Sequence, residues 1–239
     1  MKQIESQLTR LRLTGMNKGW KSIVETRRVQ ELSFTDGLQL LLQAEEEERS
    51  IKRFERLKTS ARFRYQASIE EVLFDAARGL NKDLITNLAT CDYITKGESV
   101  LITGATGCGK SFIASALGHH ACIHGKNVVY YNTQKLLMRI KMARLDGSIM
   151  KFFDKLAKSS LLILDDFGLS HMEQQQQYNL MEIIEDRHGR VSTIIASQLP
   201  VGSWYDIIGE ATIADAIMDR LVHTSHRIEL KGESLRRKK

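Results

Sequence analysis

The stretch GATGCGKS, residues 104–111, constrains the fold more than any other part of the chain. It matches GxxxxGK[S/T] in full. A β-branched run, SVLIT, directly precedes it and a helical segment, FIASALGHHACIHG, directly follows it. Glycines at these positions let the backbone wrap closely around phosphate oxygens with N–H groups turned inward, and the following helix adds the positive end of its dipole. The pattern predicts strand, loop and helix in that order. Gly104, Ala105, Thr106, Gly107, Cys108, Gly109, Lys110, Ser111 and Phe112 are expected around the phosphates of ATP. Lys110 should reach the β- and γ-phosphates, and the Ser111 hydroxyl should ligate Mg2+.

Four further short runs share the character of SVLITG (99–104): NVVYYN (127–132), LLILDD (161–166), STIIAS (192–197) and HRIEL (226–230). Apolar strands alternating with helical segments imply an α/β fold whose parallel sheet is covered on both faces. The single proline, Pro200, falls beyond the fourth run, where it interrupts no strand.

LLILDD ends in two adjacent carboxylates, which a buried strand must deliver to a polar destination. Beside a phosphate loop, the carboxylate closing the neighbouring strand helps hold magnesium, which assigns Asp165 to the metal. Asp166 is then expected to face the γ-phosphate and polarise the attacking water, or else only to cap the next turn. It is one methylene shorter than the glutamate common there, so slow hydrolysis is expected. The fourth run ends in Ser197 and Gln198; Gln198, with a donor and an acceptor, is the better candidate for sensing phosphate or orienting water, and Ser197 the second. Arg220, in DAIMDRLVH, is either an arginine finger for a neighbouring subunit's nucleotide or a partner of Asp215 or Asp219.

Residues 1 to about 65 contain no convincing strand and read as helices. Ser33 followed by Asp36 resembles a capping box, and Glu45 to Glu48 before Arg49, Lys52 and Arg53 reads as a solvated face of paired charges. Basic residues bracket this patch, Arg10 to Arg28 before it and Arg56, Lys58, Arg62 and Arg64 after it. They suit either a phosphate-contacting surface or a merely soluble one. A net charge of +6 allows a polyanionic partner without requiring one. Gln174 to Gln177 reads as a solvated helix start. The three cysteines form no CxxC pair and have no histidine at metal-ligand spacing, so neither disulfides nor a zinc site are expected. With no leader-like N-terminus and no long apolar run, a cytoplasmic location is expected.

Taken in order, these elements resemble the AAA+ superfamily, in its clade of helicase loaders and initiators such as DnaC, and more closely the IstB-like transposition helper ATPases. The resemblance is carried by FDAARGLNKDLITNLATCDYITKGESVLITGATGCGKS, LLILDDFG, STIIASQLP and ADAIMDRLVHTSHRIELKGESLRRK, and so covers almost the whole chain. It implies a five-stranded AAA+ P-loop core of three layers over residues 69–239. A small all-helical DNA- and partner-binding domain precedes it over 1–68, and no C-terminal lid follows. It maps Lys110 and Ser111 to the phosphate-loop (Walker A) motif, Asp165 and Asp166 to Walker B, Ser197 and Gln198 to the sensor region and Arg220 to the finger.

The implied activity is Mg-dependent ATP hydrolysis, stimulated by DNA or a partner and coupled to self-assembly on double-stranded DNA through the ATP sites. The assembly would recruit the transposase of an insertion sequence, with hydrolysis driving disassembly; the alternative is a DnaC-like loader of a replicative helicase. In the initiator clade an extra helix between the second and third strands faces DNA. Here it would present Lys135, Arg139, Lys141 and Arg144 to phosphates. Arg236 in the tail would approach phosphate or DNA.

Overall fold

The computed structural model describes residues 2–235, so Arg236 lies outside the described residues. Two compact units divide the chain, Met1–Arg56 and Leu57–Lys239. The first is helical, as its sequence implies: α1 (Lys2–Arg10), α2 (Thr14–Glu25), a 3-10 turn at Arg28–Gln30, and most of α3 (Phe34–Ala61). Ser33 starts α3 by accepting the Asp36 N–H at 3.2 Å, while its hydroxyl donates to the Asp36 carboxylate at 2.6 Å. Half of the anticipated capping box is therefore present, and the return contact runs to the hydroxyl instead of the backbone.

The acidic patch on α3 is not uniformly solvated. Gly15 lets α2 approach α3 so closely that a Cβ there would lie 2.2 Å from the Ala44 carbonyl oxygen. The contact carries Glu45 inward, where its carboxylate accepts the N–H groups of Gly15 at 2.7 Å and Met16 at 3.1 Å and the Arg49 Nε at 2.7 Å. Glu45 thus caps the start of α2 from another helix. Burial opposes its charge, but these hydrogen bonds outweigh it and hold its pKa below the ordinary value. Glu48 pairs with Lys18 at 2.6 Å and Lys52 at 3.2 Å, whereas Glu46 and Glu47 remain exposed.

The second unit takes over within α3, whose last residue, Ala61, is buried. It continues through α4 (Lys82–Ala89), α5 (Asp92–Lys96), β1 (Ser99–Gly104), α6 (Lys110–Ile123), β2 (Val128–Asn132), α7 (Thr133–Leu145), α8 (Ile149–Ala157) and β3 (Leu161–Phe167). Then come α9 (Gln174–Arg187), β4 (Ser192–Ser197), α10 (Trp204–Ile208), α11 (Ala211–Val222) and β5 (Ser225–Leu230). All strand pairs are parallel, in the order β2-β3-β4-β1-β5. The five expected strands form the sheet, and every residue of β4 is buried, as a strand covered on both faces requires.

One expectation about neighbours is corrected. β3 is not adjacent to β1, because β4 lies between them. After β1 the chain lays β2 at the far edge, and β3 and β4 then fill the gap back toward the centre. Gln177 is also not solvated. α9 opens on a capping box between Glu173 and Gln176, and the Gln177 amide is turned inward to donate to the Met172 carbonyl at 2.9 Å.

Candidate nucleotide-binding and hydrolysis site

β1 ends at the phosphate loop, and the loop's glycines are there for two different reasons. Gly104 sits where a Cβ would be 2.3 Å from the Leu230 carbonyl on the neighbouring strand, and Gly109 turns into α6 with φ 101°. No side chain among the described residues caps α6 at Gly109, which leaves its leading N–H groups facing the loop. Lys110 is buried and its ammonium donates to the carbonyls of Gly104 and Ala105, both at 2.8 Å. Arg78 pins the loop from outside by donating to the Cys108 carbonyl at 2.6 Å.

The two aspartates occupy a β-bulge. The β3–β4 register passes from Leu164 opposite Ile195 to Phe167 opposite Ser197, so Asp165 and Asp166 together face one partner residue. Asp166 takes up the extra residue with φ 55°, a left-handed conformation seldom held by a non-glycine residue without cause. In a regular strand adjacent side chains point to opposite faces. Here the bulge turns both carboxylates to the same guanidinium, with Arg64 Nη1 donating to Asp166 at 2.7 Å and Asp165 at 3.2 Å.

Asp165 is almost fully buried and well supplied with donors: Ser111 Oγ at 2.9 Å, the Asp166 N–H at 2.9 Å, the Tyr130 hydroxyl and Arg64. These contacts meet the cost of burying the charge. Burial and the hydrogen bond to Asp165 both raise the Tyr130 pKa, so that hydroxyl stays protonated as a donor. Asp166 is more open and accepts from Asn132 Nδ2 at 2.9 Å as well as from Arg64. Burial works against the Arg64 cation, but its hydrogen bonds to Asp166 and Asp165 prevail and its pKa is raised. Ser111 and Asp165 bring two hard oxygen donors to one point, the donor set that magnesium takes.

Gln198 reaches the loop, its Oε1 accepting the Thr106 hydroxyl at 2.7 Å. Ser197 does not: its buried hydroxyl donates to the Phe167 carbonyl at 2.8 Å and accepts the Leu199 N–H at 3.1 Å, closing the strand-end turn. Arg220 on α11 pairs with Glu185 of α9 at 2.5 Å instead of Asp215 or Asp219. On α7, Lys135, Arg139, Lys141 and Arg144 are exposed, with Arg144 donating to Asn179 at 2.7 Å, while Leu136, Leu137 and Ile140 pack inward.

Three elements of the site escape a reading by motif. Tyr130 and Asn132 come from β2, which carries no recognisable site pattern, and Arg64 reads only as one of several basic residues. An apolar cleft of about 210 Å³ also opens beside the loop, lined by Val72, Leu73, Leu80, Gly109, Phe112 and Leu230 among others. It has the character of a site for a planar base next to the phosphates. The signal that could have found it is FDAARGLNK, whose Arg78 and Leu80 line it.

A family model described as IstB-like ATP binding protein matches residues 6–239. A protein of Sinorhizobium fredii, named as an insertion sequence ATP-binding protein, is 42% identical over 97% of this chain and 94% of its own length. Another so named, from Pseudomonas fluorescens, is 41% identical over 82% of this chain and 85% of its own. The crystal structure of the DnaC helicase loader is similar over 66% of this chain and 95% of that one, with a TM-score of 0.56 at 20% identity, a likeness of fold alone.

Proposed function

The chain belongs to the IstB-like ATP binding protein family and has the AAA+ fold, and from that premise we propose that it is a Mg-dependent ATPase that assembles on double-stranded DNA and recruits a transposase. The observation that carries the catalytic part is the junction of Ser111, Asp165, Asp166 and Gln198 around one phosphate loop. The insertion-sequence names of its relatives support the transposase partner.

Each side chain then has a task. The loop N–H groups and Lys110 bind the phosphates, the ammonium exchanging its two carbonyl partners for phosphate oxygens. The cleft beside Phe112 takes the base. Ser111 and Asp165 would hold Mg2+, which would supply charge neutralisation at the phosphates. Asp166 accepts the proton of the attacking water, and Gln198 orients that water or senses the γ-phosphate. Arg220, released from Glu185, serves the nucleotide of an adjoining copy. Lys135, Arg139, Lys141 and Arg144 contact DNA phosphates without reading bases. Residues 1–68 act as the assembly and partner-binding domain, with the stretch from Leu57 onward packed into the unit of the ATPase, 69–239.

Duplex binding measured by anisotropy tests this reading. The parent protein with ATP is expected to bind unrelated duplexes alike, with affinity falling steeply as salt rises, and Lys110→Ala is expected to lose nucleotide and DNA together. Undiminished DNA binding by Lys110→Ala would remove ATP from the switch.

A further inference from the structure

Away from the phosphate loop, three side chains converge that no step above employs. Cys91 lies between α4 and α5, His120 in the last turn of α6, and His124 at the cap of that helix. A four-residue spacing puts the two imidazoles on one helix face, and their Nε2 atoms are 3.2 Å apart. The fold then brings in Cys91 from a distant part of the sequence, so that ligand atoms of all three lie within 4.8 Å of one another. This overturns the expectation that the cysteines have no histidine placed for a metal. The sequence shows His120 and His124 at helical spacing, but nothing in it indicates that the α4–α5 connection crosses the end of α6.

The dimensions suit a particular class of cation. Zn–N bonds of about 2.0–2.1 Å and a Zn–S bond of about 2.3 Å, arranged tetrahedrally, require N···N and N···S edges of about 3.3 Å and 3.6 Å. The imidazole pair already has the first spacing, and the thiol has at most about 1.2 Å to travel. Burial grades outward from Cys91, which is buried, through His120 to the exposed His124, giving a path from solvent to the sulfur. Cys91 has φ 62°, a left-handed backbone that side-chain-bearing residues rarely hold outside turns and functional sites. His120 Nε2 donates to the Ala89 carbonyl at 2.9 Å, a proton and a partner it gives up on taking a metal.

We propose that Cys91, His120 and His124 form a binding site for a zinc-class transition metal, separate from the magnesium site at Ser111 and Asp165. A thiolate with two imidazoles favours Zn2+ over Mg2+, whose preference is for oxygen. The bound ion fastens the α4–α5 connection to the C-terminal end of α6, the helix that begins at the phosphate loop.

Titration of the full chain, free of tag histidines, with Co2+ tests the site. One ion per chain is expected, giving the intense visible bands of tetrahedral cobalt and a thiolate-to-cobalt charge-transfer band, both abolished by Zn2+ and unchanged by excess Mg2+. Cys91→Ser should remove the charge-transfer band, and His124→Ala should weaken binding at least about tenfold. His124 is exposed, so its variant keeps the test valid even if Cys91→Ser does not fold. The proposal is overturned if tetrahedral bands do not form, if the charge-transfer band survives in Cys91→Ser, or if His124→Ala binds as the parent does.

Discussion

Replacing Arg64 with glutamine probes the carboxylate pair without touching either carboxylate. The substitution removes one guanidinium nitrogen lying 2.7 Å from Asp166 and 3.2 Å from Asp165. A hydrogen bond to a charged group is worth roughly 1.5–3 kcal/mol. The Arg64 side chain is 41% exposed, however, so screening reduces the combined worth of the two contacts to about 1–2 kcal/mol. Magnesium beside Ser111 calls on the same Asp165, so guanidinium and metal compete for one anion. Removing the guanidinium costs the metal-free protein that stability and returns it to metal binding. At 1.4 kcal/mol per factor of ten, the ADP-bound protein should take up Mg2+ about 5–30-fold more tightly. Thermal unfolding without metal and calorimetric titration of the ADP complex with Mg2+ measure the two halves. A lower Tm together with unchanged or weaker Mg2+ affinity would refute the competition and leave Arg64 as a strut.

Asp166→Asn should retain ATP and lose roughly 10²–10⁴-fold in hydrolysis rate, seen in phosphate release; turnover at the parent rate would remove Asp166 as the base. Arg220→Ala should lose about 10³-fold or more, but only at concentrations where copies assemble. An equal loss in dilute, unassembled protein would leave Arg220 as a partner of Glu185 alone. Arg187 is buried, with its guanidinium donating to the Leu156, Ser159 and Ser192 carbonyls and to Thr193 Oγ1. Arg187→Met strands those carbonyls and should cost about 3 kcal/mol or more in denaturant unfolding, with nucleotide affinity of the folded protein preserved. A loss below about 1 kcal/mol would show that water satisfies them.

The sheet was legible because its strands are buried on both faces, and such strands announce themselves as unbroken apolar runs. The phosphate loop was legible because wrapping backbone around phosphate allows few sequences. Strand order was less so, since adjacency in the chain says nothing of the gap that β3 and β4 fill beside β1. Arg64, Tyr130 and Asn132 gave no local signal, as their role is fixed only by where β2 and the end of α3 meet the bulge. Glu45 and Gln177 were misread for a related reason. A polar residue in a polar run looks solvated until a second element presents it with backbone partners. The Cys91–His120–His124 group is the same case in a different chemistry.

Electron microscopy of the protein with a long duplex, in ATP and in ADP, examines the central proposal most directly. Regular assemblies of many copies on the DNA are predicted with ATP, absent with ADP and absent for Lys110→Ala. Assemblies that form alike with ADP, or protein that remains unassembled on DNA with ATP, would contradict it.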